Sequence, residues 1–129
     1  MSNAMNSNAS PLRVLLVEDY PDLAAATADF LEAEGFDVRT ALSGRDALDV
    51  APGFRPELVL CDLNLPDMSG VDVVHQLRSN PATQRTYAVI LTAIGAGFTK
   101  PADVDAFVAK PLTIDSIQSL VKAARSSHN

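Results

Sequence analysis

The chain has 129 residues, of which 47% are apolar and 20% are charged, and its formal net charge is −6. Such a chain can build one packed domain, and its composition excludes a disordered or low-complexity protein. The acidic balance and the absence of a long apolar run argue against a nucleic-acid or membrane partner. A single cysteine excludes an internal disulfide and a cysteine-clustered zinc site. With no secretory signal ahead of the first apolar run, we expect a cytoplasmic protein.

The first ten residues are expected to lie outside the fold. Met1-Ser2-Asn3-Ala4 before Met5 resembles the remnant of an expression tag, and the polar residues that follow, up to Ser10, are expected to be disordered. We therefore predict one folded domain over residues 11–126.

Short apolar runs alternate with amphipathic stretches from residue 12 onwards. The apolar runs predict five strands, at residues 12–17, 36–40, 58–61, 87–91 and 106–109. The first predicted helix begins at Pro21 and ends near Gly35. Its apolar face would consist of Leu23, Ala26, Thr27, Phe30 and Leu31.

Further helices are predicted from capping residues and apolar spacing. The second begins at Ser43 and runs through Val50, because Pro52-Gly53 is expected to end it. The third has an apolar face made of Val71, Val74 and Leu77. The last is capped by Thr113, and its apolar stripe consists of Ile114, Ile117, Leu120, Val121 and Ala124.

This alternation predicts an α/β fold, a flavodoxin-like doubly wound sheet of five parallel strands in the order 2-1-3-4-5. The first strand is almost continuously apolar, as in the centre of a sheet, whereas the second alternates apolar and polar residues, as at an edge. The fourth helix, between the fourth and fifth strands, is expected to be short or missing. Only residues 93–104 are available for it, and they include Gly95, Gly97 and Pro101.

Polar side chains follow four of the predicted strands, at the point where each strand ends. They are Glu18 and Asp19, Asp62 and Asn64, Thr92, and Lys110. Because the carboxyl ends of parallel strands meet at one edge, we expect these side chains to lie close together. Crowded carboxylates favour a hard divalent cation such as Mg²⁺, and the hydroxyl and the ammonium remain as donors for an anion. These groups form a phosphoryl-transfer site, in which a carboxylate nucleophile would give an aspartyl-phosphate.

Four motifs at these strand ends resemble those of the receiver (phosphoacceptor) domain of two-component response regulators, the family of the chemotaxis regulators. They are Val17-Glu18-Asp19, the run CDLNLPDMSG from Cys61 to Gly70, Leu91-Thr92-Ala93, and Phe107-Val108-Ala109-Lys110-Pro111. The resemblance covers residues 12–125. Each motif alone is weak, but all four in this order on predicted strand ends are highly specific.

The resemblance implies a partner and a product. Asp62 would accept a phosphoryl group from a phosphohistidine on a sensor histidine kinase or a histidine phosphotransfer protein. The phosphorylated domain would then change a surface that a downstream effector recognises. The protein would catalyse only its own phosphorylation and dephosphorylation, and would act on no separate substrate.

The resemblance also implies a role for each residue at the edge. Mg²⁺, or Mn²⁺ in its place, would be bound by Glu18, Asp19, Asp62 and Asn64. The phosphoryl oxygens would be bound by Thr92 and Lys110. Thr92 and Phe107 would form a switch, and the peptide bond before Pro111 would be cis.

Alternatives from other classes remain open. A phosphatase of the haloacid dehalogenase type also forms an aspartyl-phosphate, but it usually has a second Asp where this chain has Asn64. A nucleotide-binding domain needs a Gly-rich or hydroxyl-rich loop after the first strand, where Glu18 and Asp19 would repel phosphate. The intact acidic set argues against a receiver-like interaction module that is never phosphorylated. Tyr20 stands where the family often has a polar residue, and it either partly covers the site or faces solvent.

Overall fold

Helices and strands alternate along residues 10–93 and 100–127, which are the residues that the computed structural model describes. The strands are β1 (Arg13–Val17), β2 (Asp37–Ala41), β3 (Leu58–Asp62), β4 (Tyr87–Thr92) and β5 (Ala106–Ala109). The helices are α1 (Pro21–Ala33), α2 (Gly44–Phe54), α3 (Gly70–Arg78) and α4 (Ile114–Ser127). The expected tag remnant and tail fall on residues 1–10, of which all but Ser10 lie outside the described residues. None of the described helices has the length and apolar character needed to cross a membrane.

The five strands form one parallel sheet in the order β2-β1-β3-β4-β5, which confirms the predicted topology. The register aligns the carboxyl ends of the strands. Val17 at the end of β1 lies opposite Cys61 in β3, and Thr92 at the end of β4 lies opposite Ala109 in β5. Residues that follow these positions therefore meet at one edge of the sheet.

Alternate residues of each strand pack into two separate cores. Leu15 and Val17 pack with side chains of α2 and α3, and we call this side the α2–α3 face. Leu16 packs with side chains of α1 and α4, on the α1–α4 face. Burial of each such side chain stabilises the fold by about 1.5–3 kcal/mol, which explains why the central strands are apolar on both faces.

The prediction that Pro52-Gly53 ends the second helix is wrong, because α2 includes both residues and ends at Phe54. The proline removes one helical hydrogen bond, but Phe54 is buried in the core of the α2–α3 face. Burial of that ring is worth about 2–3 kcal/mol, similar in size to the cost of a helical proline. Arg55 then closes the helix in a left-handed conformation, with a φ of 52°, and its N–H donates to the Ala51 carbonyl at 2.7 Å.

The predicted apolar face of α1 is only partly buried. Leu31 lies in the core, but Leu23 is 43% exposed and Phe30 is half-buried. Ile114, predicted in the stripe of α4, is likewise exposed. Helical periodicity identified the apolar side of each helix, but it carries no information on whether another element covers that side.

The described residues of the connection from β4 to β5 are Ala93 and 100–105, and they contain no helix. The fourth helix, predicted to be short or missing, falls mainly on residues 94–99, which lie outside the described residues. Residues 100–105, which we call the crossover, place Val104 in the core of the α2–α3 face. Arg78 at the end of α3 holds this segment. Its guanidinium donates to the Asp103 carbonyl at 2.9 and 3.1 Å and to the Asp105 carboxylate at 2.8 Å, and also to the carbonyls of Thr86 and Gln84 at 2.6 and 3.0 Å.

Candidate functional site

The carboxyl edge of the sheet gathers three acidic side chains. Glu18 and Asp19 follow β1, and Asp62 is the last residue of β3. Carboxylate oxygens of these three residues all lie within 4.8 Å of one another. With Asn64, Thr92 and Lys110, Asp19 and Asp62 line a cavity of about 390 Å³. The structure thus brings together the residues that the sequence predicted at this edge.

Lys110 joins two of the carboxylates. Its Nζ donates to Glu18 Oε1 at 2.8 Å and lies 2.7 Å from Asp62 Oδ1. The side chains of Glu18 and Asp62 are only 3% and 8% exposed. Two carboxylates removed from water in this way would be costly without a counter-charge, and the ammonium supplies it. The other oxygen of Glu18 accepts the N–H of Tyr20 at 3.1 Å.

The two buried carboxyl groups differ in their affinity for protons. Burial raises the pKa of Asp62 to about 6; the neighbouring Glu18 adds to the rise, and Lys110 opposes it. Burial also acts to raise the pKa of Glu18. Its hydrogen bonds with the side chains of Lys110 and Asp62 and with the N–H of Tyr20 outweigh burial and hold that pKa below its usual value. Burial alone would lower the pKa of Lys110, but its contacts with Asp62 and Glu18 raise it. Near neutral pH, Glu18 and Lys110 are charged, and Asp62 loses its proton over a range centred on its pKa of about 6.

The donor set suits a divalent cation. Three carboxylates share one edge, whereas Lys110 contributes a single positive charge to them. Carboxylate and carbonyl oxygens are the ligands that Mg²⁺ prefers, and the adjoining cavity leaves space for the waters that this ion retains. The side chains present therefore fit the predicted metal.

Thr92 and Lys110 are joined through their backbones at the same edge. The Lys110 N–H donates to the Thr92 carbonyl at 2.9 Å, and the Thr92 side chain is buried. The Lys110–Pro111 peptide bond is cis. Phe107 lies on β5, three residues before Lys110, and packs against the core of the α2–α3 face together with Ile90. Ile90 and Thr92 point to the same face of β4, so Thr92 and Phe107 share that face.

The loop from β3 to α3, residues 63–69, is tightly folded. The Gly70 N–H donates to the Leu63 carbonyl at 2.7 Å, and a Cβ at Gly70 would overlap the carbonyl oxygen of Asp62. A glycine is therefore required where the loop returns to the strand that ends in Asp62.

Asp67 in this loop is a residue that sequence reasoning missed. Its carboxylate accepts the N–H groups of Gly44 and Arg45, both at 2.9 Å, at the start of α2. The contact links residues more than twenty positions apart. No local pattern indicates such a contact, because the usual capping signal lies within three residues of the helix start.

An apolar groove of about 430 Å³ adjoins the site on the α1–α4 face. Its walls are the uncovered side of α1, with Leu23 and Phe30, and the segment after β5, with Pro111 and Leu112. Glu18 and Lys110 also line it, so the groove leads to the acidic edge. Tyr20, which is 67% exposed, lies on the rim of the neighbouring acidic cavity.

The sequence profile of the response regulator receiver domain family matches residues 14–122. The chain belongs to this family, and it is a receiver domain of two-component signal transduction. Among curated proteins, the probable transcriptional regulatory protein TcrX of Mycobacterium tuberculosis is 37% identical over 122 residues, which cover 91% of this chain and 51% of TcrX. The chain thus spans about half the length of that relative.

Solved structures of receivers share the fold. The receiver domain of a CheY-like response regulator from Methylobacillus flagellatus is 32% identical and superposes with a TM-score of 0.81, covering 89% of this chain and 99% of that one. The response regulator TrrA of Thermotoga maritima, solved in complex with Mg²⁺ and BeF, is 26% identical with a TM-score of 0.76, covering 88% and 98%.

Proposed function

We propose that this domain accepts a phosphoryl group on the carboxylate of Asp62. The observation that carries the proposal is the buried Asp62 side chain, with Lys110 Nζ at 2.7 Å and two further carboxylates within 4.8 Å. The donor would be a phosphohistidine on a sensor histidine kinase or a histidine phosphotransfer protein. TcrX, by its name a probable transcriptional regulator, is about twice the length of the matched segment. A DNA-binding output would therefore belong to other parts of a longer protein, and we expect no nucleic-acid contact from this acidic domain.

The transfer exchanges one bond for another. An ionised Asp62 oxygen attacks phosphorus, the P–N bond to the imidazole breaks, and its electron pair stays on the nitrogen. The Lys110 ammonium is placed to neutralise charge on the phosphoryl oxygens, and the Thr92 hydroxyl is proposed to donate a hydrogen bond to one of them. Protonated Asp62 cannot attack, so we expect the reaction to slow at low pH, where protons also compete with the cation for this carboxylate.

Mg²⁺, or Mn²⁺ in its place, is proposed to be held by Asp19, Asp62 and the carbonyl of Asn64, with Glu18 holding a metal-bound water. The cation supplies charge neutralisation for the three carboxylates and the incoming phosphoryl oxygens. Glu18 also holds Lys110 in place through the 2.8 Å hydrogen bond. Each protein group thus either binds the cation or orients the ammonium.

The groove on the α1–α4 face is proposed to receive the phosphohistidine-bearing partner. It is largely apolar, partly uncovered at Leu23 and Phe30, and continuous with Glu18 and Lys110. A helix of the partner seated there would bring its phosphohistidine to the acidic edge. After transfer, Thr92 and Phe107 are proposed to move together, because they share one face of the sheet, and to change a surface read by an effector.

The test is phosphorylation with a small phosphodonor such as acetyl phosphate in the presence of Mg²⁺. We expect the protein to gain the mass of one phosphoryl group, lost on treatment with hydroxylamine, with the modification mapped to Asp62. Rapid turnover of the donor without an accumulating adduct would instead indicate a phosphatase. No adduct from either acetyl phosphate or a phosphorylated histidine phosphotransfer protein would indicate an unphosphorylated interaction module.

A further inference from the structure

The loop 63–69 is fastened to a helix on the α2–α3 face, away from the strand that ends in Asp62. Asp67 Oδ1 accepts the Gly44 N–H and Oδ2 accepts the Arg45 N–H, both at 2.9 Å. These hydrogen bonds hold the pKa of the Asp67 carboxyl below its usual value, with the Arg45 bond contributing most. The carboxylate is thus ionised at neutral pH and accepts hydrogen bonds from the first two N–H groups of α2.

The start of α2 is shared between two caps of different origin. The Asp46 N–H, next along the helix, donates to the Ser43 hydroxyl at 3.1 Å. Ser43 is the residue directly before α2, whereas Asp67 belongs to the loop 63–69. Helix N-terminal N–H groups need partners, so both side chains stabilise α2, but only Asp67 also restrains the loop.

Packing reinforces the same contact. A Cβ at Gly44 would come within 2.5 Å of Met68 Cγ, so the loop lies directly against the helix backbone. A larger residue at this position would force the Met68 side chain to move. The packing of Met68 and the two hydrogen bonds of Asp67 thus lie side by side at the start of α2.

Backbone contacts within the loop connect Asp67 to Asn64, the proposed metal ligand. Asn64 and Ser69 form an antiparallel bridge across the loop, and the Leu65 N–H donates to the Met68 carbonyl at 3.2 Å. Asp67 is therefore at the tip of a short hairpin-like turn whose base carries Asn64 and follows Asp62 directly. A turn tethered at its tip and paired across its base has little freedom left at Asn64.

We propose that Asp67 is a positioning residue for the divalent-cation site, a role that rests on the proposed metal-binding function of Asp62 and Asn64. Its hydrogen bonds to α2 fix the loop, so the Asn64 carbonyl is already in position in the metal-free protein. Without the tether, the loop must be ordered when the cation binds, and that ordering weakens affinity. Loss of an outer-shell partner typically lowers metal affinity about 10- to 100-fold, and an effect near the lower end is expected for this single loop contact.

The experiment measures Mg²⁺ affinity by isothermal titration calorimetry on Asp67→Ala, Asp67→Asn and Ser43→Ala, well below each melting temperature. Ser43→Ala is the matched control, because it removes a cap from the same helix end and leaves the loop contact in place. We expect Asp67→Ala to weaken Mg²⁺ binding about tenfold and Ser43→Ala to change it by less than about twofold. Asp67→Asn, whose amide oxygen can still accept one N–H, is expected to fall between them.

Two results would overturn the proposal: Asp67→Ala binding Mg²⁺ within about twofold of the parent, or Ser43→Ala weakening binding as much as Asp67→Ala. If Asp67→Ala does not fold, Asp67→Asn decides on the same criteria. Failure of the parent protein itself to bind Mg²⁺ would instead overturn the proposed function, so the two failures are distinguishable.

Discussion

The two faces of the sheet are packed to different extents. On the α2–α3 face, Phe54 and Val104 fill the core among the described residues, and Asp67 and Arg78 hold the loops at its two ends. On the α1–α4 face, a groove of about 430 Å³ remains open between α1 and the segment after β5. Both faces border the acidic edge, because Asp67 follows Asp62 by five residues and Lys110 lines the groove.

This difference separates two tasks that a phosphoacceptor must combine. The side that holds the proposed metal-binding loop gains from rigidity, because a preformed site binds its ion without an ordering cost. The side proposed to receive a partner needs accessible apolar surface, which the exposed Leu23 and the half-buried Phe30 provide. Substitutions on the α2–α3 face should therefore affect metal binding, and substitutions on the α1–α4 face should affect transfer from the partner. A substitution at the acidic edge, which borders both faces, should affect both.

Asp62→Asn should produce the largest effect, namely complete loss of phosphorylation with the fold retained. The substitution is nearly isosteric and removes the nucleophile, and it also relieves repulsion with Glu18. Intact-mass measurement after incubation with acetyl phosphate and Mg²⁺ checks the loss, and circular dichroism checks the fold. Asp22→Asn, at an exposed acid in the first turn of α1, serves as the control and should be phosphorylated normally. An acyl phosphate on another residue of Asp62→Asn would contradict the assignment.

Arg78→Ala should destabilise the fold by about 3 kcal/mol, because it leaves the partly buried carbonyls of Asp103 and Thr86 without their guanidinium donor and breaks the ion pair with Asp105. Urea denaturation measures the free energy of unfolding. Arg85→Ala, an exposed arginine in the same region, should change it by less than about 0.5 kcal/mol. Equal effects of the two substitutions would show that Arg78 does not hold the crossover.

Phe30→Asp should slow transfer from a phosphorylated histidine phosphotransfer protein about tenfold, since a charge in the groove opposes docking of an apolar partner surface. The rate with acetyl phosphate should be unchanged, because a small donor needs no groove. Leu42→Asp, at an exposed leucine that does not line the groove, is the matched control. If Phe30→Asp slows phosphorylation by both donors equally, the substitution acts through the phosphorylation site or the fold and not through docking of the partner.

The sequence predicted the acidic edge but not the contacts that organise it, for a physical reason. Strand ends follow from local apolar runs, and parallel pairing then brings Glu18, Asp62 and Lys110 to one place. The Asp67 and Arg78 contacts join residues far apart in the chain, which local patterns do not encode. The end of α2 was mispredicted for the same reason, since only the tertiary burial of Phe54 outweighs the proline.

The smallest expected effect is the change of the protein's stability with pH that arises from Asp62 at the acidic edge. In the metal-free protein, the pKa of Asp62 is raised from 3.8 to about 6, so the folded state holds this proton more tightly than the unfolded state does. Its stabilising contribution is present below about pH 4 and is lost as the pH rises through about 6. Because Glu18 has a lowered pKa and titrates below this window, Asp62 should dominate the change between pH 5 and 7. We expect stability to fall there by about 1–2 kcal/mol, and this decline to be absent in Asp62→Asn.

Saturating Mg²⁺ should reverse that trend in the parent protein. The cation binds the ionised carboxylates, so protons compete with it and its stabilisation grows as the pH rises. Urea denaturation at pH 5 and pH 7, with Mg²⁺ and with a chelator, gives the four values needed. Asp19→Asn should weaken the response to Mg²⁺ while keeping the metal-free decline, because Asp62 is still present in that variant. If Mg²⁺ stabilises the parent equally at both pH values, the ion does not bind through Asp62, and the raised pKa reflects burial beside Glu18 alone.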